Sequence, residues 1–295
     1  MVSSHEFTVP TDECGDLGTL LPQREFADAY RTWPGLIPVA IDPERLRARW
    51  QDLGLYHFYE SFFHRSLGLA TALAREPHSR LETTLDVFEN DRFADEAVPL
   101  AGLIFHAGRS RSTLLSRSIA RSRENLVLSE PAALSGMVAI VAEHCEWGDT
   151  HGGRVFRNLV HAMCRKRVPS HQRSFIKFTS HNIASFGFIR AAFPDVPALF
   201  LSRDPEEIVA SFRHSPPAWT DRLGNVEAVV RATLAHSETA GASLHRLDHR
   251  QVTAGNLPAI LAHFGYEPDA EQLRLMRTQF AFDSKEDLRQ RRYED

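Results

Sequence analysis

The stretch that decides the fold is LIFHAGRSRSTLLSRSI, Leu103 to Ile119. Leu103, Ile104 and Phe105 have the makeup of a strand buried on both faces. Gly108 permits a tight turn, and Ser110, Arg111, Ser112 and Thr113 then bring hydroxyls and charge to the first turn of a helix. A helix start offers unpaired amide donors and the positive end of a dipole, so strand, polar turn and helix in that order make a cradle for an anion. The bland alternative is a basic surface connection in which Arg109, Arg111, Arg117, Arg121 and Arg123 serve solubility.

The cradle is not an ordinary nucleotide-triphosphatase loop. That loop reads Gly-x-x-x-x-Gly-Lys-Ser/Thr, whereas Phe105 stands at its first glycine, Ser110 at its second and Arg111 at its lysine. A second strand-to-helix junction follows downstream in ALFLSRDPEEIVASF, Ala198 to Phe212. Asp204 as cap, Pro205 at the helix start and Glu206 and Glu207 in the first turn form an N-terminal signature. Arg203 then falls at the carboxyl end of a strand, the edge where open α/β sheets bind ligands. The plain reading is a capped helix whose Arg203 pairs with Asp204 or a neighbouring carboxylate.

Together the two junctions resemble sulfotransferases that use 3'-phosphoadenosine 5'-phosphosulfate, nearest to the carbohydrate and tyrosyl-protein branches, whose loop reads Pro-Arg-Ser-Gly-Thr-Thr. Arg109 and Ser110 match the Arg-Ser pair, Ser112 and Thr113 match the two threonines, and Arg111 departs where glycine is usual. Arg203 and Ser211 match the family's arginine and the serine eight residues later that grip the 3'-phosphate. The resemblance covers about residues 103–285 and its sharp motifs occupy only the two junctions. It implies a transferase moving a sulfuryl group to an acceptor hydroxyl or amine, with 3'-phosphoadenosine 5'-phosphate as product and no metal required. Gly108, Arg109, Ser110, Arg111, Ser112, Thr113, Arg203 and Ser211 then hold the donor, with Lys285 added from a basic C-terminal loop. Arg109 is assigned to the bridging and leaving oxygens of the phosphosulfate.

Such a transfer needs a base within reach of the acceptor proton. Glu130 is the best carboxylate by context, because the strand-like Leu126, Val127 and Leu128 end abruptly at Ser129, Glu130 and Pro131. His106, directly before the loop, is its rival, and His181 a weaker one. Lys177, a charge inside the apolar run FIKFT, either sits at a strand end beside an anion or points to solvent; with His181 it is placed on the acceptor side. An arginine at position 111, where a positive φ could be required, calls for another loop shape or adds a phosphate-binding guanidinium.

Strands are expected near 103–106, 125–128, 174–178, 198–202 and 243–247, with helices between them, including 182–193, 226–239, 256–263 and 270–276. This alternation predicts a P-loop-like three-layer α/β fold with a mostly parallel central sheet, spanning 96–295. Residues 1–95 are expected to form a loose arm and a helical subdomain. Helices starting at Pro43, running over Leu53 to Ala74, and continuing through Leu81, Leu85 and Phe88 compose that addition. It is a candidate cover or homo-oligomer contact, and Tyr56, Phe58, Tyr59, Phe62 and Phe63 either line an acceptor pocket or, as such stripes usually do, fill core. Arg213 to Gly224, broken by Pro216 and Pro217, is a candidate lid or a rigid connection.

The formal net charge of −4 over 295 residues makes no global case for nucleic acid. Three cysteines without close pairing argue against a disulfide scaffold, and His144, Cys145, His151, His161 and Cys164 match no zinc signature. Neither a bilayer-crossing run nor a secretory leader is apparent, so the expectation is a cytoplasmic enzyme with a small-molecule or carbohydrate acceptor and no membrane partner. Two alternatives stay open: a nucleotide-dependent kinase with an altered phosphate loop, and a noncatalytic nucleotide-binding or assembly protein.

Overall fold

The apolar run that opens the cradle is the central strand of a five-stranded sheet. A computed structural model describes residues 19–73, 80–143, 148–216 and 225–282. In chain order the first part holds β1 (Thr19–Leu20), α1 (Gln23–Thr32), β2 (Leu36–Asp42), β3 (Arg47–Asp52), α2 (Phe63–Leu73) and β4 (Leu81–Thr84). The second holds β5 (Leu100–His106), α3 (Ser112–Ala120), β6 (Asn125–Ser129), α4 (Ala132–Glu143), α5 (Gly153–Met163), β7 (Arg173–Lys177) and α6 (Phe186–Ala192). It continues through β8 (Ala198–Ser202), α7 (Pro205–His214), α8 (Val226–Thr239), β9 (His245–Asp248), α9 (Leu257–His263) and α10 (Ala270–Thr278).

The main sheet runs β6-β7-β5-β8-β9, and each neighbouring pair is parallel. Alternation of side chains splits its apolar residues into two cores, one per face. Leu103, Phe105, Leu126, Leu128, Ile176 and Phe200 join α4, α5, α6 and α7 on one face. Ile104, Val127, Phe175, Leu199 and Leu201 join α3, α9 and α10 on the other. The sheet is therefore sandwiched between helical layers. The chain leaves β5 through α3 toward β6 and leaves β8 toward β9 at the opposite edge, so the carboxyl ends of β5 and β8 flank the point where strand order reverses.

The amino-terminal part is not the helical addition that its residues suggest. It is a four-stranded mixed sheet, β1-β4-β3-β2, with β1 and β4 parallel and the other pairs antiparallel. The segment at Pro43 is a turn between β2 and β3, the helix expected from Leu53 begins only at Phe63, and Leu81 to Thr84 extends as strand. Its aromatic centre, Phe26, Tyr30, Trp50, Phe88 and Phe93, belongs to the same core as the sandwich. Gly136 on α4 allows β2 to lie close, since a side chain there would meet Ile41 at 3.0 Å. Among the described residues no helix is long and apolar enough to cross a membrane.

Candidate functional site

The carboxyl ends of the five strands carry the polar residues, and they divide into two adjoining groups. The first is the cradle. Ala107 remains locked to the sheet by its amide on the Leu201 carbonyl at 3.1 Å. Beyond it the backbone enters the left-handed region at Gly108 (φ 82), Arg109 (φ 50) and Arg111 (φ 63), while Ser110 and Ser112 keep φ out of it. Alternation of hand along a chain turns successive amides toward one concavity, which is an anion-binding nest. The first backbone bond of the following helix comes from Leu115 to the Arg111 carbonyl. Among the described residues, the amides of Arg109, Ser110, Arg111, Ser112 and Thr113 find no acceptor. The Ser110 hydroxyl, in a residue only 1% exposed, is also without a partner.

Arg111 answers the question raised by its departure from glycine. It takes the left-handed conformation, φ 63 and ψ 15, and sends its guanidinium away to the Val252 carbonyl at 3.2 Å. The Arg109 guanidinium lies 4.9 Å over the Phe212 ring, donates to the Ser215 carbonyl, and is held below its usual pKa by burial and then by Arg203. Arg203 ties the two junctions together, donating from Nη1 to the Arg109 carbonyl at 2.9 Å and from Nε to Glu207 at 3.0 Å. Asp204 caps α7 through the amides of Glu206 and Glu207. Ser211 is half-buried on α7 beside Phe212, whose ring would lie 3.5 Å from a Cβ at Gly108.

The second group sits across β5. Lys177, fully buried at the end of β7, lies 2.7 Å from Glu130 Oε1 and donates to Thr113 Oγ1 at 3.1 Å. The ring of Phe62 covers its ammonium at 5.0 Å. Glu130 has φ 56 and fastens its amide to the Lys177 carbonyl at 2.7 Å. Burial alone would raise its pKa, but Lys177 and His106 overcome that and hold it at about 2. His106 Nδ1 accepts the Gly108 amide at 3.0 Å, which leaves the ring hydrogen on Nε2, 3.3 Å from Glu130 Oε1. His181, with Nε2 3.2 Å from Thr179 Oγ1, is pushed down to about 4, first by burial, with the Glu130 charge opposing. Asn182 accepts from Thr179 at 2.5 Å and Ser135 at 3.1 Å, and its buried amide nitrogen has no acceptor.

The structure thus brings Gly108 through Thr113, Arg203, Glu130, His106, Lys177 and His181 to one sheet edge. Lys285 lies outside the described residues, as do positions 217–224 of the tract considered as a lid. Of the front-third aromatics, Phe58 and Phe63 are core, Tyr56 donates to Glu60, Tyr59 meets the His57 ring edge-on at 4.4 Å, and Phe62 reaches the second group through Lys177. Reading the sequence missed His249 and Arg250, whose signal was available: they directly follow the residues of β9, as Arg203 follows β8. A groove of about 600 Å³ at the opposite edge, lined by Arg190, His245, Arg246 and His263, does not touch these groups. Among the described residues no cluster of three or more His, Cys, Asp or Glu could hold a metal ion. Neither a protein-family model nor a curated protein matches the chain.

Proposed function

We propose that this P-loop-like α/β chain is a sulfotransferase that moves a sulfuryl group from 3'-phosphoadenosine 5'-phosphosulfate to a hydroxyl of a small-molecule or carbohydrate acceptor. The observation that carries the reading is the join between the two groups: Thr113 belongs to the nest of unpaired amides and also receives the Lys177 hydrogen bond beside an ionised Glu130. An anionic phosphosulfate fits the nest by charge and by its orphan donors, Ser110 Oγ included. Glu130 would take the acceptor proton as the acceptor oxygen bonds to sulfur and the sulfur–oxygen bond to the 5'-phosphate breaks, its electron pair leaving on the phosphate. A carboxylate with a pKa near 2 is a weak base, so its proton transfer belongs late in the step, when the acceptor oxygen has become acidic.

His106 is the poorer base because its Nδ1 is occupied and its Nε2 carries hydrogen. Lys177 is the cation already in place for the developing charge, whereas Arg109 serves the leaving phosphate only by giving up the Ser215 carbonyl. The kinase reading wants a lysine on the phosphates at position 111. Arg111 there is turned to Val252 instead.

Equilibrium titration tests the assignment: 3'-phosphoadenosine 5'-phosphate should bind at least about tenfold tighter than ATP without added divalent cation, since each extra charge-assisted contact is worth that much. Tighter binding of ATP would overturn it. With radiolabelled donor and an acceptor panel, Glu130→Gln should cut turnover by about 100-fold or more while leaving product binding intact. Full turnover in that variant would remove Glu130 from the mechanism.

A further inference from the structure

The groove of about 600 Å³ lies at the amino ends of β8 and β9, the sheet edge opposite the amide nest. Arg190 builds it. From the last turn of α6 its Nη1 donates to the carbonyls of Phe193, Pro194 and Val196 at 3.1, 3.0 and 2.7 Å, and its Nη2 crosses to the Ser243 carbonyl at 3.0 Å. One guanidinium thus fixes both walls, the segment leading into β8 and the turn leading into β9. All these acceptors are neutral, so the charge of Arg190 is answered only in part, by Asp195 on the exposed rim. Successive residues of a strand face opposite sides of a sheet, and β9 opens with His245 and Arg246. The groove therefore bends round the sheet end. On the α9 side the exposed His245 stacks on His263, with ring centroids 4.6 Å apart and planes 30° apart. On the α6 side Arg246 lies 3.7 Å from Glu238, whose side chain is 67% exposed, a loose pair that a ligand can replace at little cost.

The two sides differ in what they accept. His263 Nε2 lies 3.2 Å from the Ala198 carbonyl, which can only accept, so Nε2 carries the hydrogen and Nδ1 keeps a lone pair. Burial lowers the pKa of that ring further than the Ala198 bond raises it. The imidazole side therefore offers ring faces and turns a lone pair, not a donor, toward an incoming oxyanion. Positive charge is concentrated on the arginine side. We propose that the groove binds an aromatic carboxylic acid whose ring extends the His245–His263 stack and whose carboxylate, on a flexible arm, crosses the sheet end to Arg246 in place of Glu238. Pro194 and Pro197 supply apolar wall between the two ends. Ring stacking and a charge-assisted bond to a guanidinium are then made by one molecule, whereas an inorganic oxyanion meets half of the arrangement. The inference goes beyond the sulfotransferase reading and does not depend on it, since the groove shares no residue with the cradle.

Ligand-observed NMR titration of the intact chain with 3-phenylpropionate, benzoate and inorganic phosphate tests the site. A molecule of this size should saturate it with a Kd of about 1 mM. Benzoate, which has no arm to span the sheet end, should bind at least about fivefold more weakly, because it forfeits either the stack or the guanidinium. His245→Ala should weaken 3-phenylpropionate about fivefold by removing the stacked face, and Arg246→Gln about tenfold by removing the charge-assisted bond. Both residues are exposed, so thermal melting of the variants should match wild type and show that any loss is local. Failure of 3-phenylpropionate to saturate below roughly 10 mM overturns the site. So does unchanged affinity in either variant, benzoate binding as well as 3-phenylpropionate, or displacement of 3-phenylpropionate by phosphate. Displacement by 3'-phosphoadenosine 5'-phosphate would place the acid in the cradle instead and overturns it equally.

Discussion

At the scale of the residue, the informative positions are those where a side chain tolerates a backbone it does not favour. Arg111 and Glu130 both occupy the left-handed region, one at the start of α3 and the other at the end of β6. A non-glycine residue there costs about 1–2 kcal/mol, and such outliers gather where structure around them is over-determined for function. For Arg111 this yields an inversion of the usual ranking. Arg111→Gly should be more stable than Arg111→Ala by about 1 kcal/mol, because both lose the bond to Val252 while only glycine relieves the strain. Denaturant midpoints of the two variants check this, and an alanine variant equal to or above glycine would show that the loop relaxes on substitution. The residue type at 111 was readable beforehand, but its conformation was not. A glycine missing from a motif leaves open whether the turn has changed or the arginine bears the turn, and only the backbone decides.

At the scale of the element, α7 shows what local chemistry can specify alone. Asp204 accepts from two amides, Pro205 occupies the first turn, and acidic residues follow, as the sequence indicates. Asp204→Ala should lower stability by about 1 kcal/mol and also weaken binding of 3'-phosphoadenosine 5'-phosphate, since Ser211 and Phe212 ride on the same helix. Thermal melting and titration together check it; a stability loss with unchanged binding would detach the cap from the site. The same chemistry misleads at Pro43. Asp42 accepts from the amides of Glu44 and Arg45 just as an N-cap would, yet the chain continues through Leu46 at φ 52 into β3. An aspartate side chain on amides two and three residues on starts a helix or closes a turn with equal ease. The pairing of Ile41 with Ala48 and of Pro38 with Trp50, all four buried, settled the matter, and that is a contact between segments. The parallel strands β5 to β8 were legible because each is buried on both faces and centres on a short apolar run, whereas β9 has one buried residue, Leu247. His249 and Arg250 became meaningful only when β9 placed them beside Arg203.

At the scale of the whole molecule, neutral histidines set a pH dependence. His57 Nδ1 lies 2.9 Å from His171 Nε2 and its Nε2 lies 2.9 Å from the Ala120 carbonyl, fastening the segment before Phe62 to α3. Burial first, then neighbouring charge from His57, Arg167 and Lys166, pushes His171 down to about 3 from 6.5, and burial lowers His57 and takes His181 to about 4. The unfolded chain binds these protons near pH 6.5 and the folded chain does not, so their contribution is complete above 6.5 and declines as pH falls toward 4 and 3. The slope is about 1.4 kcal/mol per pH unit for each such histidine. Glu130 adds to the loss below its ordinary 4.5, down to about 2. Urea midpoints at pH 7.5, 6 and 5 should fall in that order, with a shallower decline in His171→Asn; a flat series would mean that these rings are not buried neutral.

The bond from Arg203 to the Arg109 carbonyl spans 94 positions, and that from Arg111 to Val252 spans 141. On a ribosome, the cradle therefore emerges long before anything that can hold its shape. Its strand, β5, must wait for β7 and β8 on either side, with an apolar edge open in the meantime. Synthesis time thus becomes part of what the site must survive: the residues of the cradle emerge early and are among the last to be secured.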